Sequence, residues 1–193
     1  MYNIAITFFG GVEMLGLKRG TVRLVEHQEC WHDLASETID RLKEILGDTA
    51  IDIQHVGSTA ICGIHAKPII DVAVGVIKVD DVKPYIDALQ NAGIIYRKQD
   101  VQGQILFVMG DFENDHRTHH IHVVEWNSID WNHYINFRDY LNFFPEKAKE
   151  YDALKCSLAE QFSENRGNYT SGKHELIDRL LSEADAWRKS FLK

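Results

Sequence analysis

The sequence predicts an α/β (α+β) fold: a mixed β-sheet flanked by helices, with a helical C-terminal part. Three observations carry that prediction. Apolar residues recur with a helical period over 31–46, marking a helix with one buried face. Runs rich in β-branched residues at 50–56, 68–77 and 119–126 have the length and composition of strands. Beyond 128 the pattern is helical, so the order helix, strands, helix, strands, helices suits one sheet covered by helices.

The first helix sets Trp31, Leu34, Ala35, Thr38, Ile39, Leu42, Ile45 and Leu46 on one stripe and stops at Gly47, a C-terminal cap. Residues 50–56 alternate, with Ile51, Ile53 and His55 on one face. The 68–77 run is almost continuously apolar, as in a central strand covered on both faces, which sets Asp71 in the middle of the sheet or at its exposed end. A capped helix over 80–93 turns Val82, Tyr85, Ile86 and Leu89 inward and ends at Gly93. Strands at 94–97 and 104–110, a polar loop over 111–118 and a strand at 119–126 follow. Helices at about 128–142, 145–163 and 170–190 complete the chain. The middle one begins near Pro145 and aligns Ala148, Tyr151, Leu154, Leu158 and Phe162. We divide the 193 residues into an N-terminal extension, 1–20, and one domain, 21–190, whose sheet-bearing core runs from about 30 to 126.

The formal charge is −8, from 21 Lys and Arg against 29 Asp and Glu, and no basic run exceeds two residues. A net-negative body without a basic patch attracts neither a nucleic-acid polymer nor an anionic membrane, so neither is expected as a partner. A nucleotide is still compatible, because a divalent cation can stand between phosphate and carboxylate. The widely spaced Cys30, Cys62 and Cys156 fit a reducing compartment, and the apolar N-terminal run is too short to span a bilayer, so a cytoplasmic protein is expected. Cys62, without an evident neighbouring base, reads as an inert thiol.

The chemical question sits in HVGSTAICGIHAKPIIDVAVGV, 55–76, because a carboxylate in an apolar run is costly unless it is paired or bound to a metal. A Walker-type phosphate loop fails on spacing: five residues separate Gly57 from Gly63, Ile64 follows, and Lys67 precedes Pro68. His120 and His122 leave one face of a predicted strand, with His116, His119 and Glu125 nearby, and neutral imidazoles so placed are good transition-metal ligands. A glycine-serine turn, Gly57 and Ser58, after one strand and an acid, Asp71, on the next has the layout of nucleotidyltransferase sites. There the turn offers N–H groups and a hydroxyl to phosphates while carboxylates hold a divalent metal. The competing reading of Asp71 is a structural ion pair with Lys67, Arg117 or Arg138.

HVGSTAICGIHAKPIIDVAV resembles the signature of the GrpB (UPF0157) family, and the likeness continues through RTHHIHVVE, FRDYL with Pro145, YDALKCSLA and YTSGKHELI, from about Thr21 to Ala184. The resemblance implies the fold of the polymerase-β-like nucleotidyltransferase superfamily, with the Gly57–Ser58 turn and Asp71 at the active-site edge. A similar domain is fused to dephospho-CoA kinase in some bacteria. Two departures stand out. Superfamily acids come in pairs one residue apart, whereas Ile69 and Ala73 flank Asp71 at that spacing, and Ile61-Cys62 replaces the usual Val-Pro. A third superfamily acid comes from a later strand, so His120, His122 or Glu125 is expected to complete the site, with His55 toward the same edge. Asp71, His120 and His122 are therefore the expected catalytic residues and ligands of a divalent metal (Mg²⁺, Mn²⁺ or Zn²⁺), imidazole favouring the softer ions. Gly57, Ser58, Thr59, Lys67, Arg138, Tyr169 and Lys173 are expected to bind the substrate, and Lys155 reads as a surface charge.

Three functions follow as alternatives: a metal-dependent nucleotidyltransferase-fold protein, a non-catalytic ligand-binding or regulatory module with an incomplete carboxylate site, and a histidine-site metal-dependent hydrolase. The expected partner is a nucleotide or another phosphorylated small molecule, and a homodimer is compatible with all three.

Overall fold

A computed structural model describes residues 15–98 and 103–191, together with the backbone of a short antiparallel pair, β1 (Phe8–Phe9) and β2 (Val12–Glu13). The rest of the apolar N-terminal run lies outside the described residues. Next come β3 (Leu17–Lys18), α1 (Cys30–Leu46), β4 (Asp52–Val56), β5 (Ile70–Val76), α2 (Ile86–Asn91), β6 (Ile95–Arg97), β7 (Gln104–Met109), β8 (His116–Arg117) and β9 (His119–Glu125). Four helices close the described chain: α3 (Ile129–Phe143), α4 (Pro145–Gln161), α5 (Arg166–Ser171) and α6 (His174–Ser190).

The five-stranded sheet has the order β4-β5-β9-β7-β6 and is mixed: β5 and β9 run parallel, and every other pairing is antiparallel. The parallel pair lies inside the sheet, which explains why β5 and β9 carry β-branched residues on both faces. One face packs Val72, Val74 and Ile121 against Trp31, Ala35, Leu42 and Leu46 of α1. The other sets Val56, Ala73 and Val124 under Trp131 of α3. Each fully buried valine, leucine or isoleucine among them stabilises the fold by about 1.5–3 kcal/mol. A third cluster joins α3, α4 and α6 through Tyr140, Tyr151 and Leu180 and takes in Ile61 and Ile64 of the segment between β4 and β5.

The structure departs from the expected elements at four places. Ile51 precedes β4 and is exposed, while Ile53 and His55 do share a buried face. The helix expected over 80–93 is a 3-10 stretch, Val79–Tyr85, followed by the short α2. Pro84 lacks the N–H that a continuous α-helix would use there. The 111–118 loop contains β8, which pairs with β3. The last expected helix is two, α5 and α6, which meet at Gly172 and Lys173, where Gly172 packs so closely on α4 that a Cβ would lie 2.6 Å from Leu158.

Residues 15–20 lie against the domain: Leu15 and Leu17 are buried, and the Gly16 N–H donates to the Pro68 carbonyl at 2.7 Å. Among the described residues no helix is long and apolar enough to cross a membrane.

Candidate functional site

Asp71 is the second residue of β5, on the face covered by α3, and its register partner across the parallel pair is His120. His122 is the partner of Ala73. Alternate strand residues share a face, so the carboxylate and both imidazoles converge, and small Ala73 leaves His122 room. His120 Nδ1 lies 3.1 Å from Asp71 Oδ1, and His122 Nε2 lies 3.7 Å from the same oxygen. Burial works to raise the Asp71 carboxyl, but the hydrogen bonds and charge of His120 and His122 outweigh it. Asp71 is held well below the usual carboxylate range and is ionised. Tyr134 packs on His122 with ring centroids 5.1 Å apart, and both reach Gln104 Oε1 at 3.4 Å, which orients that imidazole.

The turn after β4 meets the same carboxylate. Gly57 has φ +72°, and a Cβ there would lie 2.5 Å from Asp71 Oδ2, so only glycine lets the backbone approach so closely. Ser58 hydrogen-bonds with Tyr151, and Thr59 Oγ1 donates to the Ile69 carbonyl at 3.4 Å. Ser58, Thr59, Asp71, His120 and His122 all face one cavity of about 560 Å³.

That cavity is strongly cationic. Among the described residues its lining holds seven basic side chains and one acid, Asp71. Lys67 and Lys173 lie over the Tyr169 ring, 4.3 and 4.4 Å from its centroid. Burial first, then the neighbouring Lys173 and Arg166, push the Lys67 ammonium down to about 8, and burial with Arg166 brings Lys173 to about 8. Arg117 pairs with Asp115 at 3.0 Å and stacks on Phe112. Arg19 and Arg166 also line the cavity.

The structure thus brings together Gly57, Ser58, Thr59, Lys67, Asp71, His120, His122, Tyr169 and Lys173, and it does not bring Arg138 to them. Arg138 braces α3 on β4, donating to Gln54 Oε1 at 2.9 Å, to the His55 carbonyl at 2.8 Å and to Asp139 Oδ1 at 2.8 Å. His55 lies on the opposite sheet face and bonds Thr59 Oγ1 at 3.0 Å. Burial, followed by the charge of His32, lowers His55 to about 4. His119 points into the core toward Thr38, and Glu125 is exposed at the far end of β9. Lys155, expected on the surface, is 1% exposed: it donates to the His65 carbonyl and faces the cavity. Its place with Ala148, Tyr151 and Leu158 on one stripe of α4 was a readable signal. Arg19 had none, and Arg117 was read only as a candidate ion-pair partner of Asp71; the pairing of β3 with β8, and the Arg19 N–H donating to the Asp115 carbonyl just beyond it, place both on the cavity wall.

The donor set is one carboxylate oxygen and two imidazole nitrogens, all within 4.8 Å of one another. Such a set fits Mn²⁺ or Zn²⁺ better than Mg²⁺, which prefers hard oxygen ligands in octahedral geometry.

Fold and site together define a mixed α/β domain that presents a carboxylate and two imidazoles to an anion-receptive cavity. The family model described as GrpB protein matches residues 21–183, and the chain belongs to the GrpB family. It is 42% identical over 173 residues to the Glutamate-rich protein GrpB of Alkalihalophilus pseudofirmus, covering 88% of this chain and 99% of that one. It is 33% identical to UPF0157 protein YqkA of Bacillus subtilis, covering 87% of this chain and 48% of that one. The crystal structure of conserved protein GrpB from Enterococcus faecalis superposes with a TM-score of 0.78 at 27% identity, over 89% of this chain and all of that one (100%).

Proposed function

We propose that the Asp71 cavity binds a nucleotide or another phosphorylated small molecule together with a divalent metal, on a nucleotidyltransferase-type fold. One observation carries this: in a chain of net charge −8, the described residues gather seven basic side chains and one carboxylate around the cavity. Low-dielectric walls lined by one sign of charge concentrate ligands of the other.

Asp71, His120 and His122 would hold the metal, which when bound polarises a phosphoryl oxygen as a Lewis acid. The chain's own residues do the rest. Gly57 lets the turn abut the carboxylate, so that Ser58 and Thr59 stand at the same edge. Lys67, Arg166 and Lys173 meet the phosphates, with Tyr169 setting the two ammonium groups beside each other. Tyr134 and Gln104 fix the His122 ring. In this reading the functional domain is 21–190, with residues 17–20 closing one wall of its cavity, in a cytoplasmic protein.

A second reading, binding without turnover, is favoured by Ile69 and Ala73, which leave Asp71 as the lone acid of β5 at the spacing where a pair is expected. Thermal-shift titration with ATP, Mn²⁺ or Zn²⁺, singly and together, tests both. Stabilisation that requires metal and ATP together and disappears in Asp71→Ala supports the metal-nucleotide site. ATP stabilisation without metal supports the binding module, and stabilisation by metal alone points to a metal-dependent hydrolase. Unchanged signals in Asp71→Ala and His120→Ala would overturn the site.

A further inference from the structure

A second cluster of metal-ligating side chains stands outside the Asp71 cavity. His27 precedes α1, His32 lies in its first turn, and Cys62 lies between β4 and β5. One ligand atom from each, two imidazole nitrogens and the thiol sulfur, falls within 4.8 Å of the others. We infer that His27, His32 and Cys62 form a second metal site for a borderline-soft divalent ion of the zinc class.

The donor chemistry selects that class, because thiolate and imidazole together disfavour Mg²⁺ and Ca²⁺. Zinc with nitrogens at about 2.0–2.1 Å and sulfur at about 2.3 Å sets tetrahedral ligand atoms about 3.5 Å apart. His32 and Cys62 are exposed, so their side chains are free to close the remaining distance.

A second observation is independent of spacing. Both ring nitrogens of His27 are buried, and apart from an approach to the Ile61 backbone they have no hydrogen-bond partner, which leaves at least one nitrogen orphaned. Buried polar atoms are ordinarily partnered, and metal ligation accounts for an orphaned imidazole nitrogen. The frame is rigid as well. His27 rests edge-on against Trp31 with centroids 5.4 Å apart. The Cys62 N–H donates to Asn142 Oδ1 at 3.0 Å, and Asn142 Nδ2 donates to the Ala60 carbonyl at 2.9 Å, which pins the Cys62 segment to α3.

One chain of contacts runs from this cluster to the Asp71 cavity. The His32 ring meets His55 edge-on at 5.5 Å, and His55 Nε2 bonds Thr59 Oγ1 at 3.0 Å, beside the Gly57–Ser58 turn. His32 and His55 thus join the inferred site by direct contact to the turn that borders Asp71. Exposure of His32 and Cys62 leaves the fourth coordination position to solvent.

Cobalt(II) titration of the full, reduced chain tests the site, with Co²⁺ as the spectroscopic stand-in for zinc. The background is His120→Ala/His122→Ala, which silences the Asp71 cluster. The expected result is a thiolate-to-cobalt charge-transfer band that saturates at one equivalent, is bleached by Zn²⁺ and persists in Cys156→Ser. It is lost in Cys62→Ser and in His32→Ala, whose metal-free melting temperatures match the background. A band that survives Cys62→Ser, or no band at saturating cobalt, overturns the inference. Neither outcome touches the Asp71 reading, whose own residues are absent from the new site.

Discussion

The Nδ1 of His120 lies 3.1 Å from Oδ1 of Asp71, across a parallel strand pair in which the two residues are direct register partners. This contact answers the cost of a carboxylate in an apolar strand. Of the cations considered as structural partners for Asp71, Arg117 pairs with Asp115 and Arg138 with Asp139. Lys67 sits over Tyr169. Imidazoles stabilise the charge instead, and imidazoles, unlike guanidinium groups, also ligate metals.

Asp71→Ala removes the shared ligand. A phosphorylated ligand with Mn²⁺ at about one hundred times its dissociation constant should stabilise the native chain by about 2.7 kcal/mol, and the variant should lose nearly all of that. Differential scanning fluorimetry with and without ligand reads the difference.

Lys67 and Lys173 should make ligand binding fall above about pH 8. Their folded values lie below the ordinary 10.5, so between the two the unfolded chain holds more protons. Stability of the ligand-free protein therefore gains from these groups as pH rises from about 8 to 10.5, while affinity for phosphate falls as the ammonium charge is lost. Lys67→Ala or Lys173→Ala should each weaken binding by about 1.5–3 kcal/mol and flatten the pH profile. Calorimetric titration across pH 7–10 checks this, and an unchanged profile in the variants would contradict it.

Gly57→Ala should destabilise the fold by about 1–3 kcal/mol, because the new Cβ meets Asp71 and φ is +72°. Metal-dependent stabilisation should be lost with it. Urea unfolding measures the first effect and metal titration the second.

Arg138→Ala and Lys155→Ala should separate framework from cavity. Arg138 holds β4 to α3 without facing the cavity, so its loss should cost about 1–3 kcal/mol of stability with ligand affinity unchanged. Lys155 is buried, lies 3.6 Å from Asp152 and faces the cavity, so Lys155→Ala should lower stability by about 3–5 kcal/mol and affinity as well. Paired urea melts and ligand titrations distinguish them.

Much of this was legible in the chain itself. The alternation of 119–125 announced that His120 and His122 share a face, the apolar run around Asp71 announced an acid in need of a partner, and the glycine-serine turn marked the segment that borders it, though not how closely the backbone approaches the carboxylate. Local periodicity determines such features because it depends only on the geometry of one helix or strand. It misplaced Lys155, because the apolar stripe of α4 was traced through Leu154 and Phe162 when the charged residue at 155 completes the turn that faces inward.

What only the tertiary structure decided is who meets whom. Asp71 and His120 are 49 positions apart, and it is the parallel register of β5 and β9 that sets them opposite one another. Arg19 and Arg117 reach the cavity through a two-residue ladder that no local pattern marks, and Arg138 is drawn away by Gln54 and the His55 carbonyl. Register and helix docking are set by the combined packing of distant segments, and a one-residue slip would turn each strand's side chains to the other face. The chain by itself determined which chemical groups were present and on which elements. The fold alone determined that one carboxylate, two imidazoles and a ring of cations would share a cavity.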